Sequence, residues 1–274
     1  MRLERAGNLE GAAIDRATAL NLAFEGADPR EVLAGAVAEF PGELAMVSSF
    51  GADSVVLLHM ISQIDRSVPV LMIDTLMLFR ETLDYQEEVA KRLGLNVVHL
   101  RPTGADLAAG DPDGRLHLTD TDACCEVRKV APLERVEGRW PVTVTGRKRF
   151  QGSTRAALRH FEPEGTRLKV NPLAFWGSAE IRAYMDEHDL PRHPLVAKGF
   201  RSIGCAPCTS PVAEGEDERA GRWRGSNKVE CGIHYGPDGR IGSRGKFPSR
   251  VRSQGHSCDD TLPHTSCCKA VGPQ

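Results

Sequence analysis

Five of the eight cysteines in this chain of 274 residues stand where their spacing could carry chemistry. Cys124 and Cys125 are adjacent. Cys205 and Cys208 form a C-x-x-C pair in Gly204-Cys205-Ala206-Pro207-Cys208, and Cys231 stands alone in Glu230-Cys231-Gly232-Ile233-His234. Two pairs make a set of four metal ligands and leave one thiol over as a nucleophile. A C-x-x-C by itself reads as a dithiol redox pair, half of a zinc site or half of an iron–sulfur site. A redox pair usually opens a helix early in a compact βαβ unit, whereas this one follows a loop rich in Pro and Gly from Asp189 to Gly204. Consecutive side chains point in different directions, so the Cys124-Cys125 doublet is a poor chelate for one zinc. A cubane offers each thiolate its own iron, so Cys124, Cys125, Cys205 and Cys208 favour a 4Fe–4S cluster over zinc without deciding it. A free thiol with a pKa near ~8.5 is mostly protonated at neutral pH. His234, Lys228 and nearby arginines would lower the Cys231 value and Glu230 would oppose them. The bland alternative is a small apolar residue. Gly221, Gly225 and Gly232 favour a mobile, exposed segment near residues 220–236.

A second set of residues suits anions. Ser48-Ser49-Phe50-Gly51-Ala52-Asp53-Ser54 joins an apolar run to a helix, and its hydroxyls, glycine and free amides make an anion cradle. It has neither the Walker spacing nor G-x-G-x-x-G, and a plain Ser/Asp helix cap is an equal alternative. Basic groups follow at Arg128-Lys129, Arg147-Lys148-Arg149, Arg219 and Arg222. Gathered around one crevice, they would suit a substrate bearing phosphate or sulfate.

The elements that must position these groups alternate. The first 40 residues read as helical, with Asp28-Pro29-Arg30-Glu31 a helix start. Leu44–Val47, Val68–Ile73, Leu95–Leu100 and Pro141–Thr145 read as strands, with helices from Ser54 and from about Glu81 to Leu93. Strands alternating with helices imply an α/β fold with a mostly parallel sheet and flanking helices. Sites in such sheets form beyond the carboxyl ends of the strands, which points to Ser48–Asp53, Asp74–Arg80, residues 101–125 and Gly146–Arg155.

Composition excludes other classes. Apolar residues make up 41% and the net charge is −2, which argues against a protein that coats nucleic acid. No apolar run approaches the ~20 residues that span a bilayer, and the N-terminus lacks a signal peptide's apolar centre. The expected compartment is the reducing cytoplasm, where structural disulfides are rare. Residues 241–274 carry five Lys/Arg against two Asp/Glu, hold Cys258, Cys267 and Cys268, and show no hydrophobic period. They read as a disordered tail. The domain reading is therefore a helical segment 1–40 within the same domain, a body 41–240, and the tail.

The doublet with Arg128-Lys129, the C-x-x-C pair and Glu230-Cys231-Gly232-Ile233-His234 together resemble the assimilatory adenylyl-sulfate (APS) reductases, which group with the phosphoadenylyl-sulfate (PAPS) reductases. The resemblance covers roughly residues 40–236, and the paired cysteines resemble the cluster-bearing, APS-using branch. It implies an adenine nucleotide alpha-hydrolase-like fold, related to the PP-loop enzymes. It implies that APS lies among Ser48, Ser49, Phe50, Gly51, Asp53, Ser54, Arg128, Lys129, Arg219, Arg222 and His234, with the nucleotide near Asp74, Phe79, Gly146 and Arg147. It implies that Cys231 attacks the sulfate sulfur, that AMP leaves, and that thioredoxin or a similar dithiol protein releases sulfite from the Cys S-sulfonate. The four paired cysteines would hold the 4Fe–4S cluster, adding structure and positive potential without shuttling electrons. Two departures leave APS against PAPS more open than the chemistry: Leu76-Met77 stands where relatives often carry Gly-Arg, and Gly146–Gln151 lacks a frequent Asp. The rival class is the ATP pyrophosphatases, whose S-G-G-x-D-S loop has glycine where this chain has Phe50, a replacement expected to disfavour close backbone approach to a triphosphate. A zinc-stabilised binding module is a further alternative. Neither a nucleic-acid nor a membrane partner is expected, and association into a homo-oligomer is left open.

Overall fold

The computed structural model describes residues 2–226, with side chains from Asn8 onward, together with Lys228, Glu230 and Ile233. Cys231, His234 and the expected tail 241–274 lie outside the described residues. The chain divides into two units, Met1–Arg244 and Gly245–Gln274, and everything below concerns the first.

Among the described residues, β1 (Leu44–Val47), β2 (Pro69–Ile73), β3 (Asn96–Leu100), β4 (Val142–Thr145), β5 (Phe161–Glu164) and β6 (Arg167–Val170) form one sheet, ordered β3-β2-β1-β4-β6-β5. Every pairing is parallel except β5 with β6. The four strands expected from apolar runs are present, and the mostly parallel α/β reading holds. The antiparallel hairpin was not anticipated. Pro163 and Gly165 interrupt its pattern: Gly165 turns the chain at φ +61°, and Pro163 is tolerated because β5 is an edge strand.

Helices cover both faces: α1 (Arg2–Ala23), α2 (Pro29–Glu39), α3 (Ser54–Ile64), α4 (Arg80–Leu93), α5 (Gly104–Gly110), α6 (Leu116–Thr119), α7 (Thr121–Cys125), α8 (Ala131–Glu137) and α9 (Ser178–Glu187). The Asp28 carboxylate accepts from the Arg30 amide while Glu31 reaches back to the Asp28 amide, so α2 starts as its sequence implies. In α1, Ala13, Ala17 and Leu20 recur at helical spacing and are buried. Asn21 accepts from the Phe161 amide and donates to the Phe161 carbonyl, closing edge backbone that would otherwise invite another strand. No described helix is long and apolar enough to cross a membrane.

The topology sets the site. The sheet order reverses between β1 and β4, the place where open α/β sheets leave a crevice. Val47 pairs with Thr145 at the end of both strands, so the loops beginning at Ser48 and Gly146 emerge side by side.

The stretch from Asp189 to Gly204 is tied down despite its loop-like composition. Tyr85 Oη donates to the Pro191 carbonyl (2.8 Å), Lys198 pairs with Glu81 (2.8 Å), and Phe200 packs edge-on against Phe79. His193 is fully buried: its Nδ1 accepts from the Leu195 amide (3.2 Å), which leaves Nε2 to donate to Thr82 Oγ1 (3.0 Å). Burial holds the imidazole neutral and lowers its pKa to about 4, with Glu81 opposing weakly. An unfolded histidine at about 6.5 binds a proton that the folded one refuses, so stability is full above pH 6.5 and falls as the pH drops toward 4. The expected loss is about 3 kcal/mol by pH 4. Denaturant melts between pH 7 and pH 4 measure it, and His193→Gln should show a flatter pH dependence over the same interval.

Candidate active site

Where β1 ends, the chain turns sharply. Phe50 takes φ +48° and its ring is fully buried in the main core, beneath the loop rather than in the cavity above it. The expectation that Phe50 would hinder backbone approach is thereby corrected: the ring faces away and anchors the loop. The Phe50 amide donates to Ser48 Oγ (3.2 Å) and the Gly51 amide to Ser54 Oγ (2.9 Å). Asp53 does not cap α3; its carboxylate takes Lys148 Nζ at 3.0 Å instead. The plain-cap alternative therefore fails at its central residue.

Above this loop lies a cavity of about 250 Å³. Ser48, Ser49, Gly51, Asp53 and Ser54 line one side, Gly146, Arg147, Lys148 and Arg155 the second, and Lys129, Cys205, Arg219, Arg222 and Glu230 the rest. Four residues expected near substrate do not line it. Asp74 is buried and accepts from Arg101 Nε (2.8 Å) and from the Leu76 amide (3.0 Å). Phe79 packs on Phe200, and Phe50 is in the core. Arg128 sits within the protein on a one-turn π-helix, Glu126–Val130, directly after α7. Its Nε and NH2 both donate to Asp111 Oδ2 (3.0 and 2.6 Å) and its NH1 to the Thr75 carbonyl (3.0 Å). This guanidinium is committed to holding the cysteine helix against the loop after β2. Lys129, one residue on, faces the cavity.

The basic triplet divides in the same way. Arg147 lines the cavity but is braced from behind by Thr145 Oγ1, Asn171 Oδ1 and Glu162. Arg149 turns away, its guanidinium carbon 3.9 Å from the centre of the Phe175 ring. Arg155 went unsingled in the sequence because a lone arginine has no spacing to mark it. Its Nε and NH2 grip the two oxygens of Glu230, and Arg219 NH2 approaches Glu230 Oε2 at 3.4 Å.

Cys124 and Cys125 end α7 and are buried; Cys205 is buried and Cys208 half-buried, and none is in a disulfide. Burial pushes the Cys124 thiol up to about 12, helped by Cys125, Cys205 and Cys208 and opposed by Arg128. Burial likewise raises Cys208, with Cys205 and Cys125 adding to it and Lys129 and Arg222 opposing. The two pairs thus come together in the fold. Thr75 Oγ1 lies 3.2 Å from Cys205 Sγ and Lys228 Nζ 3.3 Å from Cys125 Sγ. Among the described residues no three His, Cys, Asp or Glu side chains converge on a point where they could hold a single metal ion.

Arg219 and Arg222 arrive on a strip that folds back on the C-x-x-C turn. The Ser210 amide donates to the Gly221 carbonyl (2.9 Å) and the Trp223 amide to the Cys208 carbonyl (3.0 Å). A Cβ at Gly221 would stand 2.1 Å from the Ser210 carbonyl oxygen, and one at Gly204 2.3 Å from Arg222 NH2. Gly221 is therefore a close-packing glycine, which corrects its reading as a mark of mobility. Gly225 is exposed and turns the chain at φ +82°.

Residues 43–211 match the phosphoadenosine phosphosulfate reductase domain model. The chain belongs to this family. It is 49% identical over 234 residues to a Mesorhizobium japonicum protein named adenosine 5'-phosphosulfate reductase, covering 85% of this chain and 92% of that one. A Gloeobacter violaceus protein named phosphoadenosine 5'-phosphosulfate reductase is 37% identical, covering 81% and 95%. The crystal structure of the Candida auris PAPS reductase in its phosphate complex superposes with a TM-score of 0.62 at 30% identity, covering 72% of this chain and 97% of that one. Candida glabrata FMN adenylyltransferase, at 18% identity and a TM-score of 0.50 over 76% and 73% of the two chains, shares the fold alone. The adenine nucleotide alpha-hydrolase-like, PP-loop-related fold expected for the family is thus present.

The Arg128–Asp111 pair yields a test of what Arg128 does. Arg128→Met strands a buried carboxylate and should cost about 3–5 kcal/mol of stability, read as a fall in the denaturation midpoint. Arg80→Met, which breaks a fully exposed pair with Asp84, should leave the midpoint where it is.

Proposed function

We propose that this chain reduces adenylyl sulfate to sulfite and AMP, as part of sulfate assimilation. The observation that carries this reading is the cavity at the β1/β4 crevice, which joins a hydroxyl- and amide-rich loop to Lys129, Arg155, Arg219 and Arg222 beside four gathered cysteines. Family membership and the names of the relatives support the same substrate class.

In this reading the loop after β1 turns its Ser48, Ser49 and Ser54 hydroxyls to the substrate's oxygens, and the cations neutralise them. Gly146 and Arg147 lie along the nucleotide. Asp74, Phe79 and Phe50 shape the loops from behind, and Arg128 fixes the cysteine helix that carries Lys129. Cys231 is the nucleophile. Its thiolate forms a bond to the sulfate sulfur, the bond from that sulfur to the bridging oxygen breaks, and AMP leaves with the electron pair. A thiolate of a dithiol protein such as thioredoxin then attacks Cys231 Sγ and displaces sulfite. The partner's second thiol resolves the mixed disulfide, so the dithiol supplies the two electrons. His234 stands by as the group that eases Cys231 ionisation. Glu230 and Ile233, which bracket Cys231 and Gly232 in sequence, both line the cavity, which supports a nucleophile at this place in the chain.

The cysteine set fits a 4Fe–4S cluster better than one zinc. Four thiols from two elements lie close enough to influence one another, and the adjacent Cys124-Cys125 pair is a poor chelate for one ion. Two buried donors near Cys208, Arg222 Nε and Trp223 Nε1, have no partner among the described residues, as a site for an electron-rich occupant would leave them. Cys124, Cys125, Cys205 and Cys208 would hold the cluster, which when bound ties α7 to the C-x-x-C turn beside the cavity and sets its local potential. PAPS reduction by the same chemistry is the second reading, supported by the similarity to the Gloeobacter violaceus protein named phosphoadenosine 5'-phosphosulfate reductase.

The test is anaerobic sulfite release from APS and from PAPS with reduced thioredoxin, for wild type and Cys231→Ser. The expected result is sulfite from APS with wild type alone. A preference for PAPS moves the substrate and keeps the reaction. Sulfite from neither, in protein with a full complement of iron, overturns the proposal and favours an ATP-dependent activity of the same fold.

A further inference from the structure

The antiparallel hairpin does more than close the sheet edge. Glu162 lies on β5 and Asn171 directly follows β6, and neither lines the cavity. Asn171 is wholly buried and uses its full hydrogen-bonding capacity. Its Oδ1 accepts from Thr145 Oγ1 (2.7 Å) and from Arg147 Nε (3.1 Å). Its Nδ2 donates to Glu162 Oε2 (3.0 Å) and to the Arg159 carbonyl (3.0 Å). Arg147 Nε can only donate and a carbonyl can only accept, so the amide has one orientation. Glu162 Oε2 also accepts from Arg147 NH2, which closes a ring of three side chains.

This ring holds the Nε and NH2 edge of the Arg147 guanidinium behind the cavity wall. Its NH1 is bonded to none of the described residues, and Arg147 lines the cavity. A guanidinium is flat, so fixing one edge fixes the direction of the donor that remains. Glu162 also supplies the counter-charge that a side chain only 10% exposed requires. Arg147 thus brings the cavity direction rather than net charge. Arg149, two residues on, donates instead to the Leu158 carbonyl and lies over the Phe175 ring. A sulfate spreads its charge over several oxygens and calls for cations. A nucleoside offers single uncharged acceptors, which suit one directed donor.

We propose that Glu162 is a positioning residue: through Asn171 and its own carboxylate it aims Arg147 NH1 at an uncharged acceptor on the nucleoside part of the substrate. The hairpin is thereby part of the binding machinery without touching the ligand. This rests on the reading of the cavity as a nucleotide site.

AMP and inorganic sulfate are the probes, and calorimetry measures their affinities for the full chain. Glu162→Ala should weaken AMP roughly tenfold and leave sulfate within about twofold of wild type. Glu162→Gln keeps the accepting oxygen and should bind AMP no more than about threefold more weakly than wild type. In an Arg147→Met background, Glu162→Ala should weaken AMP no further, because Glu162 acts through Arg147. Equal losses of AMP and sulfate, equal losses in the Gln and Ala variants, or a further loss in the Arg147→Met background overturns the proposal. Should the alanine variant fail to fold, Arg147→Lys decides. It keeps the charge but not the planar edge, so AMP should weaken roughly tenfold, and an unchanged affinity overturns the proposal. No AMP binding by wild type overturns the nucleotide reading and the proposal with it. AMP binding by wild type with every variant unchanged overturns the proposal alone.

Discussion

Cations buried around a cavity must share their desolvation with carboxylates, and the position of each carboxylate decides what its cation can do. Arg128 is matched by Asp111 inside the protein and is spent on structure. Lys148 is matched by Asp53, across the crevice from its own loop, so that pair ties the loop after β4 to the loop after β1. Arg147 is matched from behind by Glu162, on the edge strand β5. Arg155 alone among these four takes its carboxylate, Glu230, from the chain next to Cys231. The same electrostatic demand thus builds the walls in three places and in the fourth ties Arg155 to the chain beside Cys231.

The sheet order turns that demand into a site. Because β1 and β4 are neighbours and end level with each other, the hydroxyl-rich loop and the basic loop leave the sheet side by side. Neither loop could close the cavity alone. The third wall comes from the strip folded back on the C-x-x-C turn, and its approach depends on the missing side chains of Gly204 and Gly221. A larger residue at either glycine would push Arg222 or the Ser210 backbone out of place. These two glycines therefore serve the cavity by close packing, whereas Phe50 serves it by burying a ring under a strained turn.

Much of this was legible in the residues. The Asp28-Pro29-Glu31 pattern states its own cap, and Leu44–Val47 and Val142–Thr145 are apolar runs too short for helices and bounded by polar turns. The four paired cysteines, Lys129, Arg219 and Arg222 were read as a group, and the fold brings them together. The rest was hidden for identifiable reasons. The hairpin β5–β6 mixes charges, Pro163 and Gly165, because Lys169, Arg167 and Glu164 pair among themselves and mask any alternation. The Arg155–Glu230 fork joins residues 75 apart in the chain, and although Glu230 opens a marked motif, nothing local singles out Arg155 as its partner. Arg128 was assigned to substrate because an arginine beside a lysine reads as one basic patch. On the π-turn after α7 the two side chains instead part company, one inward to Asp111 and one toward the cavity.

That parting explains how two charge-hungry sets coexist in a small space. Burial drives the Cys124 thiol up to about 12 and raises Cys208, so thiolates at this place draw positive charge from their neighbours. Lys129 and Arg222 are those neighbours: each eases Cys208 ionisation and each also lines the anion cavity. Charge on the cysteines and charge in the cavity therefore draw on the same two cations. The cysteine site and the cavity thus share two cations, Lys129 and Arg222.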